Sequence, residues 1–119
     1  MKKKIKCKHI YDEVFQTNYY VYYGVKPSEY KDEVIRITGS EADDLNLIDG
    51  KMNVYENEGI PIVFIWTRKK SVSCLAHECM HAVHYTLNDK WLELSDKTDE
   101  LYAYYMQYLM REILEGDKK

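Results

Sequence analysis

Apolar residues change their spacing several times along this chain, and each change marks an element. Val14-Phe15 and Tyr19-Tyr-Val-Tyr-Tyr23 are aromatic and β-branched, which suits a pleated surface, and Gly24 closes the run. The pattern predicts a strand from Phe15 to Tyr23. Pro27 and Ser28 carry helix-start chemistry, Tyr30, Val34 and Ile37 recur at helical spacing, and Gly39 suits a C-cap. A short helix over Ser28 to Thr38, backing the sheet, is therefore expected. After a polar stretch, Leu45, Leu47 and Ile48 predict a short strand running into a turn at Asp49-Gly50, and Met52, Val54 and Tyr55 alternate weakly beyond it. Gly59-Ile-Pro-Ile-Val-Phe-Ile-Trp66 is a continuous apolar run that must be covered on both faces, with Pro61 at its start or on an edge.

Helical spacing takes over at Ser71. Val72, Leu75, Ala76, Met80, Ala82, Val83 and Leu87 make the next segment apolar, Ser71 or Ser73 can cap it, and Asn88-Asp89-Lys90 ends it. Trp91-Leu-Glu-Leu94 leads to Ser95 and Thr98, either of which can cap a last helix. Its stripe is Leu101, Tyr104, Tyr105, Tyr108, Leu109 and Ile113, and Gly116 stops it. The expected fold class is α+β: a small mixed sheet backed by a helix, followed by two long helices. One domain over residues 1–119 is expected, with 1–12 and 117–119 flexible.

Composition narrows the function classes. A formal charge of −3 with 45% hydrophobic residues carries no basic excess that would point to nucleic acid. The lysines at 2–4, 6 and 8 are a short run, read as a solvated edge or tail. Three cysteines, Cys7, Cys74 and Cys79, without CxxC spacing indicate neither a disulfide framework nor a cysteine zinc site, and reduced thiols in a cytosol fit best. No run has the length of a signal peptide or a membrane span, so a cytoplasmic protein with no membrane partner is expected.

The chemistry lies in His77-Glu78-Cys79-Met80-His81, an HExxH sequence on the first long helix. Residues four apart share a helix face, so His77 and His81 can direct imidazole nitrogens at one zinc ion. Glu78 is turned about 100° from His77, where it can reach a water on the metal as a general base. An amphipathic core helix can also carry such residues by chance. Burying two histidines and a glutamate in an apolar helix without a partner would, however, cost a few kcal/mol. Cys74 and Cys79 read as small core residues.

A catalytic zinc takes three protein ligands and leaves the fourth position to water. His84 is seven residues past His77, a rise of about 10 Å, too far for one ion to meet both. Carboxylates are better placed. Glu100 follows His81 after eighteen residues and opens the last helix, which can aim it at the metal. Asp99 is the alternative, as ligand or as acceptor for a histidine N–H. Tyr104, one turn after Glu100, points the same way and is a candidate hydrogen-bond donor at the site, although a tyrosine in an apolar stripe is more often core.

The HExxH-x18-E spacing of His77, Glu78, His81 and Glu100 resembles the gluzincin metallopeptidases, in particular the aminopeptidase-N group; thermolysin-like enzymes are one residue longer. The chain departs from the metzincin pattern, which wants glycine at 84 and histidine at 87 where it has His84 and Leu87. Val63-Phe-Ile-Trp66, Leu75-Ala-His-Glu-Cys-Met-His-Ala82, Ser95-Asp96 and Asp99-Glu100-Leu-Tyr-Ala-Tyr104 resemble small, functionally uncharacterised HExxH proteins of bacteriophages and prophages. That resemblance implies a stand-alone minimal zincin-like domain acting in a host cytoplasm, and no particular substrate. The expected activity is zinc-dependent hydrolysis of a peptide or protein, with the strand ending at Trp66 as the edge that docks it. Gluzincins usually close their clefts with a second subdomain. Here nineteen residues follow Glu100, so a partner chain completing the cleft is one expectation. A non-enzymatic phage or host-interaction protein, in which the metal only staples two helices, is the alternative.

Overall fold

The computed structural model describes residues 6–115 and contains four strands and three helices. Strand β1 (Lys8–Asp12) and strand β2 (Thr17–Tyr23) form an antiparallel hairpin. Helix α1 (Pro27–Thr38) follows, then strands β3 (Gly50–Asn57) and β4 (Ile60–Thr67), which are also antiparallel. The hairpins join through a parallel β2–β4 pairing, so the sheet is mixed and its order is β1-β2-β4-β3. Helices α2 (Val72–Asp89) and α3 (Asp99–Glu115) complete an α+β fold.

Strand β4 shows why its sequence is apolar throughout. Side chains alternate across a sheet, and here both faces are covered. Ile62, Phe64 and Trp66 pack with Tyr22, Tyr30 and Val34 on the α1 face. Val63 and Ile65 pack with Leu75, Cys79, Val83 and Leu109 on the face of α2 and α3. The Trp66 indole N–H is satisfied by the carbonyl of Val25 at 2.7 Å. Pro61 is the second residue of β4, where a missing N–H is tolerated, and Gly39 ends α1 in the left-handed region at φ 76° as a C-cap should.

Several boundaries differ from the expectations. Phe15 lies in the β1–β2 turn, so β2 begins at Thr17. The 45–48 segment is not a strand: Leu45 is buried in the α1-side core, Leu47 is exposed at φ 69°, and the alternation expected there belongs to β3, which starts at Gly50. The segment expected to be flexible over 1–12 contains β1, held by five paired positions with β2. Residues 1–5 and the predicted stop and tail at 116–119 lie outside the described residues. The largest correction concerns the sheet edge. The strand ending at Trp66 is interior, flanked by β2 and β3, so it offers no free backbone; β3 is the edge beside α2.

One buried polar chain ties hairpin to helices. Tyr105 of α3 donates to Asp12 Oδ2 at 2.5 Å and shares a hydrogen bond with the Tyr19 hydroxyl at 2.8 Å, which in turn meets Thr86 of α2 at 2.5 Å. All four side chains are buried. Each has a partner, as burial in a low dielectric requires.

Candidate metal centre and cleft

Helix α2 starts where Ser71 Oγ accepts the N–H of Cys74 at 3.3 Å, one of the orphan donors of a first turn. Its apolar stripe seats Leu75, Cys79, Ala82 and Val83 on the sheet. Because the helical period is 3.6, this seating leaves His77 and His81 outward and exposed, while Glu78 falls at the border that faces β3.

The two imidazoles meet. Their Nε2 atoms lie 3.2 Å apart, with ring centroids 4.9 Å apart and planes at 75°. Ligand bonds of 2.0–2.1 Å on a tetrahedral ion imply an edge of about 3.3 Å between neighbouring donors, so this pair fits two corners of one zinc. It equally forms a direct imidazole hydrogen bond.

Glu78 is 9% exposed, and its carboxyl has no hydrogen-bond partner among the described residues. Burial raises its pKa above the usual carboxylate range; the neighbouring His77, His81 and Lys51 oppose this by favouring the charged form. Its side chain lies against Gly50, the first residue of β3. A Cβ added at Gly50 would sit 3.0 Å from Glu78 Oε2 and 3.0 Å from the Trp66 carbonyl oxygen. Glycine is thus what lets the edge strand approach the carboxylate so closely.

Glu78 and His77 form the floor of an open cleft between α2 and the start of β3. One lobe of about 350 Å³ extends toward Asp49 and Ser73, and an adjoining lobe of about 380 Å³ extends toward Met52 and His81. Ile48 belongs to both lobes. Its segment is held by Arg68, whose guanidinium donates to the carbonyls of Leu45 at 2.8 Å and Ile48 at 2.9 Å and lies over the Trp66 ring.

The backbone of β3 completes the wall. Arg68 N–H donates to Asp49 O at 2.8 Å, which sets the antiparallel ladder so that Lys51, Asn53 and Tyr55 bond to β4. Gly50, Met52 and Val54 therefore turn their N–H and C=O groups to the open edge. Their side-chain positions face α2, consistent with Met52 and Val54 packing against its core.

The structure does not bring the rest of the expected site into this cleft. Among the described residues no group of three or more His, Cys, Asp or Glu side chains is gathered closely enough to hold an ion. Glu100 is exposed in the first turn of α3, with no hydrogen bond or ion pair from its carboxylate among the described residues. Asp99 Oδ1 accepts the N–H of Glu100 at 2.8 Å, the work of a helix-start residue. Tyr104 is 65% exposed on α3 and lines neither lobe; Tyr102 is the tyrosine that approaches α2, with its ring 6.0 Å from that of His84. Cys79 is buried, with its thiol pKa pushed up by burial to about 12, as a core residue should be, whereas Cys74 is half-buried in the cleft wall.

Reading the sequence missed Gly50, Ile48 and Met52 as parts of the cleft. A signal was present: a glycine opening an alternating strand often marks close approach of another group, but Asp49-Gly50 reads more readily as a turn. No protein family, curated protein sequence or solved structure matches the chain. No helix among the described residues is long and apolar enough to cross a membrane.

Proposed function

We propose that this chain is a minimal zincin-like metallopeptidase, in which His77 and His81 hold a zinc ion and Glu78 is the general base. The observation that carries the reading is Glu78 itself: a residue only 9% exposed whose carboxyl, without a hydrogen-bond partner among the described residues, opens to a cleft beside two imidazole nitrogens 3.2 Å apart. Packing against Gly50 shields most of the residue while its carboxyl oxygens still reach the cleft, where they can take a proton from a bound water. Glu100 is the proposed third ligand. Its carboxylate has no partner among the described residues, whereas that of Asp99 is engaged at the start of α3.

Bound zinc supplies Lewis acidity, lowering the pKa of water toward ~7 and polarising a substrate carbonyl. Glu78 accepts the proton of the attacking water at a carboxylate oxygen and passes it to the leaving amine nitrogen, so the acid and base steps use one side chain. Gly50 keeps that side chain turned toward the cleft. An extended peptide is oriented by the outward N–H and C=O groups of Gly50, Met52 and Val54, which offer a strand's pairing to a substrate backbone.

The test is zinc stoichiometry and peptide turnover on the purified chain. Wild type should carry one zinc and cleave members of an unbiased peptide library. Glu78→Gln should keep the zinc and lose cleavage, and His77→Ala should lose both. Equal turnover by wild type and Glu78→Gln would overturn the reading. Zinc bound with no cleavage by wild type would leave the ion as a staple between helices, the non-enzymatic alternative.

A further inference from the structure

Another cavity, of about 260 Å³, lies where the residues before β1, the end of β2, the loop before α2 and the last turn of α3 meet. It shares no lining residue with the cleft. Its walls divide by chemistry. Val21, Ile113 and Leu114 form an aliphatic side: Val21 belongs to the core, Ile113 is half-buried against that core, and Leu114 is 37% exposed. Lys6 and Lys70 form a basic side, and neither ammonium has a hydrogen bond or ion pair among the described residues. Lys8 also lines the cavity and has an interaction of its own. None of the described lining residues is acidic, although the chain as a whole carries a net charge of −3. The backbone fixes where Lys70 lies. Gly24 closes β2 at φ 71°, and its N–H donates to Oγ1 and to the carbonyl of Thr67, each at 3.0 Å. A Cβ at position 24 would stand 2.5 Å from Lys70 Cγ and 3.2 Å from Lys70 N, so glycine admits the lysine in conformation and in space.

We infer that this cavity binds a small anionic amphiphile, a free medium-chain carboxylate whose head meets Lys6 and Lys70 and whose tail lies on Val21, Ile113 and Leu114. Two ammonium groups lining one partly enclosed space repel each other, and an anion seated between them replaces that repulsion with attraction. Size and lining select the tail. A cavity of about 150 Å³ holds the six carbons of benzene, so one of about 260 Å³ holds roughly ten non-hydrogen atoms, the number in octanoate. Besides the lysines, only Cys7 and Tyr23 among the described lining residues carry polar side-chain atoms. The amides of a peptide end would go largely unpaired there, whereas an aliphatic tail leaves nothing unsatisfied. The inference is independent of the hydrolase reading.

The experiment titrates the purified, isotope-labelled chain with octanoate, hexanoate, acetate and 1-octanol, reading amide shifts by NMR and affinity by calorimetry. Octanoate should move the amides of Val21, Tyr23, Lys70 and Leu114 and bind with a Kd on the order of 1 mM or tighter. Hexanoate, two methylenes shorter, should bind about tenfold more weakly, and acetate and octanol more weakly still. Lys6→Gln and Lys70→Gln, both at exposed positions, should each weaken octanoate about two- to fivefold and leave octanol unchanged. Leu114→Asp should weaken octanoate at least as much, with thermal unfolding showing that each variant is folded. His77→Ala should change none of this, which separates the cavity from a carboxylate held on a metal. Equal affinity for octanoate and octanol, shifts in the cleft instead of the cavity, or no shift with any ligand overturns the inference. So does lost stability in the lysine variants with octanoate affinity unchanged, which would leave the lysines as complements to the C-terminal end of α3.

Discussion

Glu78 should cost the protein stability in return for chemistry, and that trade can be measured. Glu78→Gln changes shape little but removes a charge from a position 9% exposed, where no donor compensates it. The neutral amide still lacks a partner, so the gain is the difference between burying a charged and a neutral polar group. Desolvation disfavours the charged form, but the carboxyl oxygens still reach solvent and nearby cations oppose it, so the expected gain lies at the low end of the ~1–3 kcal/mol of an unsatisfied buried group, about 1 kcal/mol. For a chain of 119 residues this corresponds to a rise in Tm of roughly 4 °C. The assay is thermal unfolding of metal-free protein at pH 8, with a urea titration to check that the m-value is unchanged. Glu78→Met, which fills similar volume with no polar atom, should gain at least as much. Unchanged or lowered stability in both variants would mean that Glu78 is already satisfied in the native state, and the case for a poised base would go with it.

The Tyr105→Phe variant removes the donor to Asp12 and the link to Tyr19, so a loss of about 1–3 kcal/mol is expected in urea unfolding, with zinc binding unaffected. Gly50→Ala should destabilise by about 1–3 kcal/mol, because its Cβ meets a backbone oxygen as well as Glu78; adding Glu78→Ala should recover part of that, and strict additivity would refute the contact. Alkaline pH should unfold the protein. Burial raises the pKa of Tyr19, Tyr22, Tyr30 and Tyr105 above their usual value near 10.0, and that of Cys79 from 9.0 to about 12. The native state therefore keeps protons that the unfolded chain releases. Stability is complete below pH ~9 and falls as pH rises through 9 to 12, with absorbance of these buried tyrosines at 295 nm appearing together with unfolding.

Much of the site and the fold could be read along the chain because the relevant geometry is local. A helical period of 3.6 brings His77 and His81 together whatever surrounds the helix, and their nitrogens do meet. The unbroken apolar run of β4 required cover on two faces, and α1 and the α2–α3 pair supply it. Gly39 ended its helix for a reason carried by one residue. The 45–48 segment misled because Leu45, Leu47 and Ile48 suit a strand, yet Arg68 draws the carbonyls of Leu45 and Ile48 into hydrogen bonds that no ladder uses.

Tertiary structure decided what depends on partners far apart in sequence. Strand order made β4 interior and β3 the edge, since a parallel pairing of β2 with β4 is written in neither strand alone. The contact of Gly50 with Glu78 joins residues twenty-eight apart, and the Asp12–Tyr105–Tyr19–Thr86 chain joins β1 to α3 across more than ninety. Spacing on one helix constrains angles to within a turn; how close another element comes to that helix is set by the packing of whole faces, to which no short motif has access.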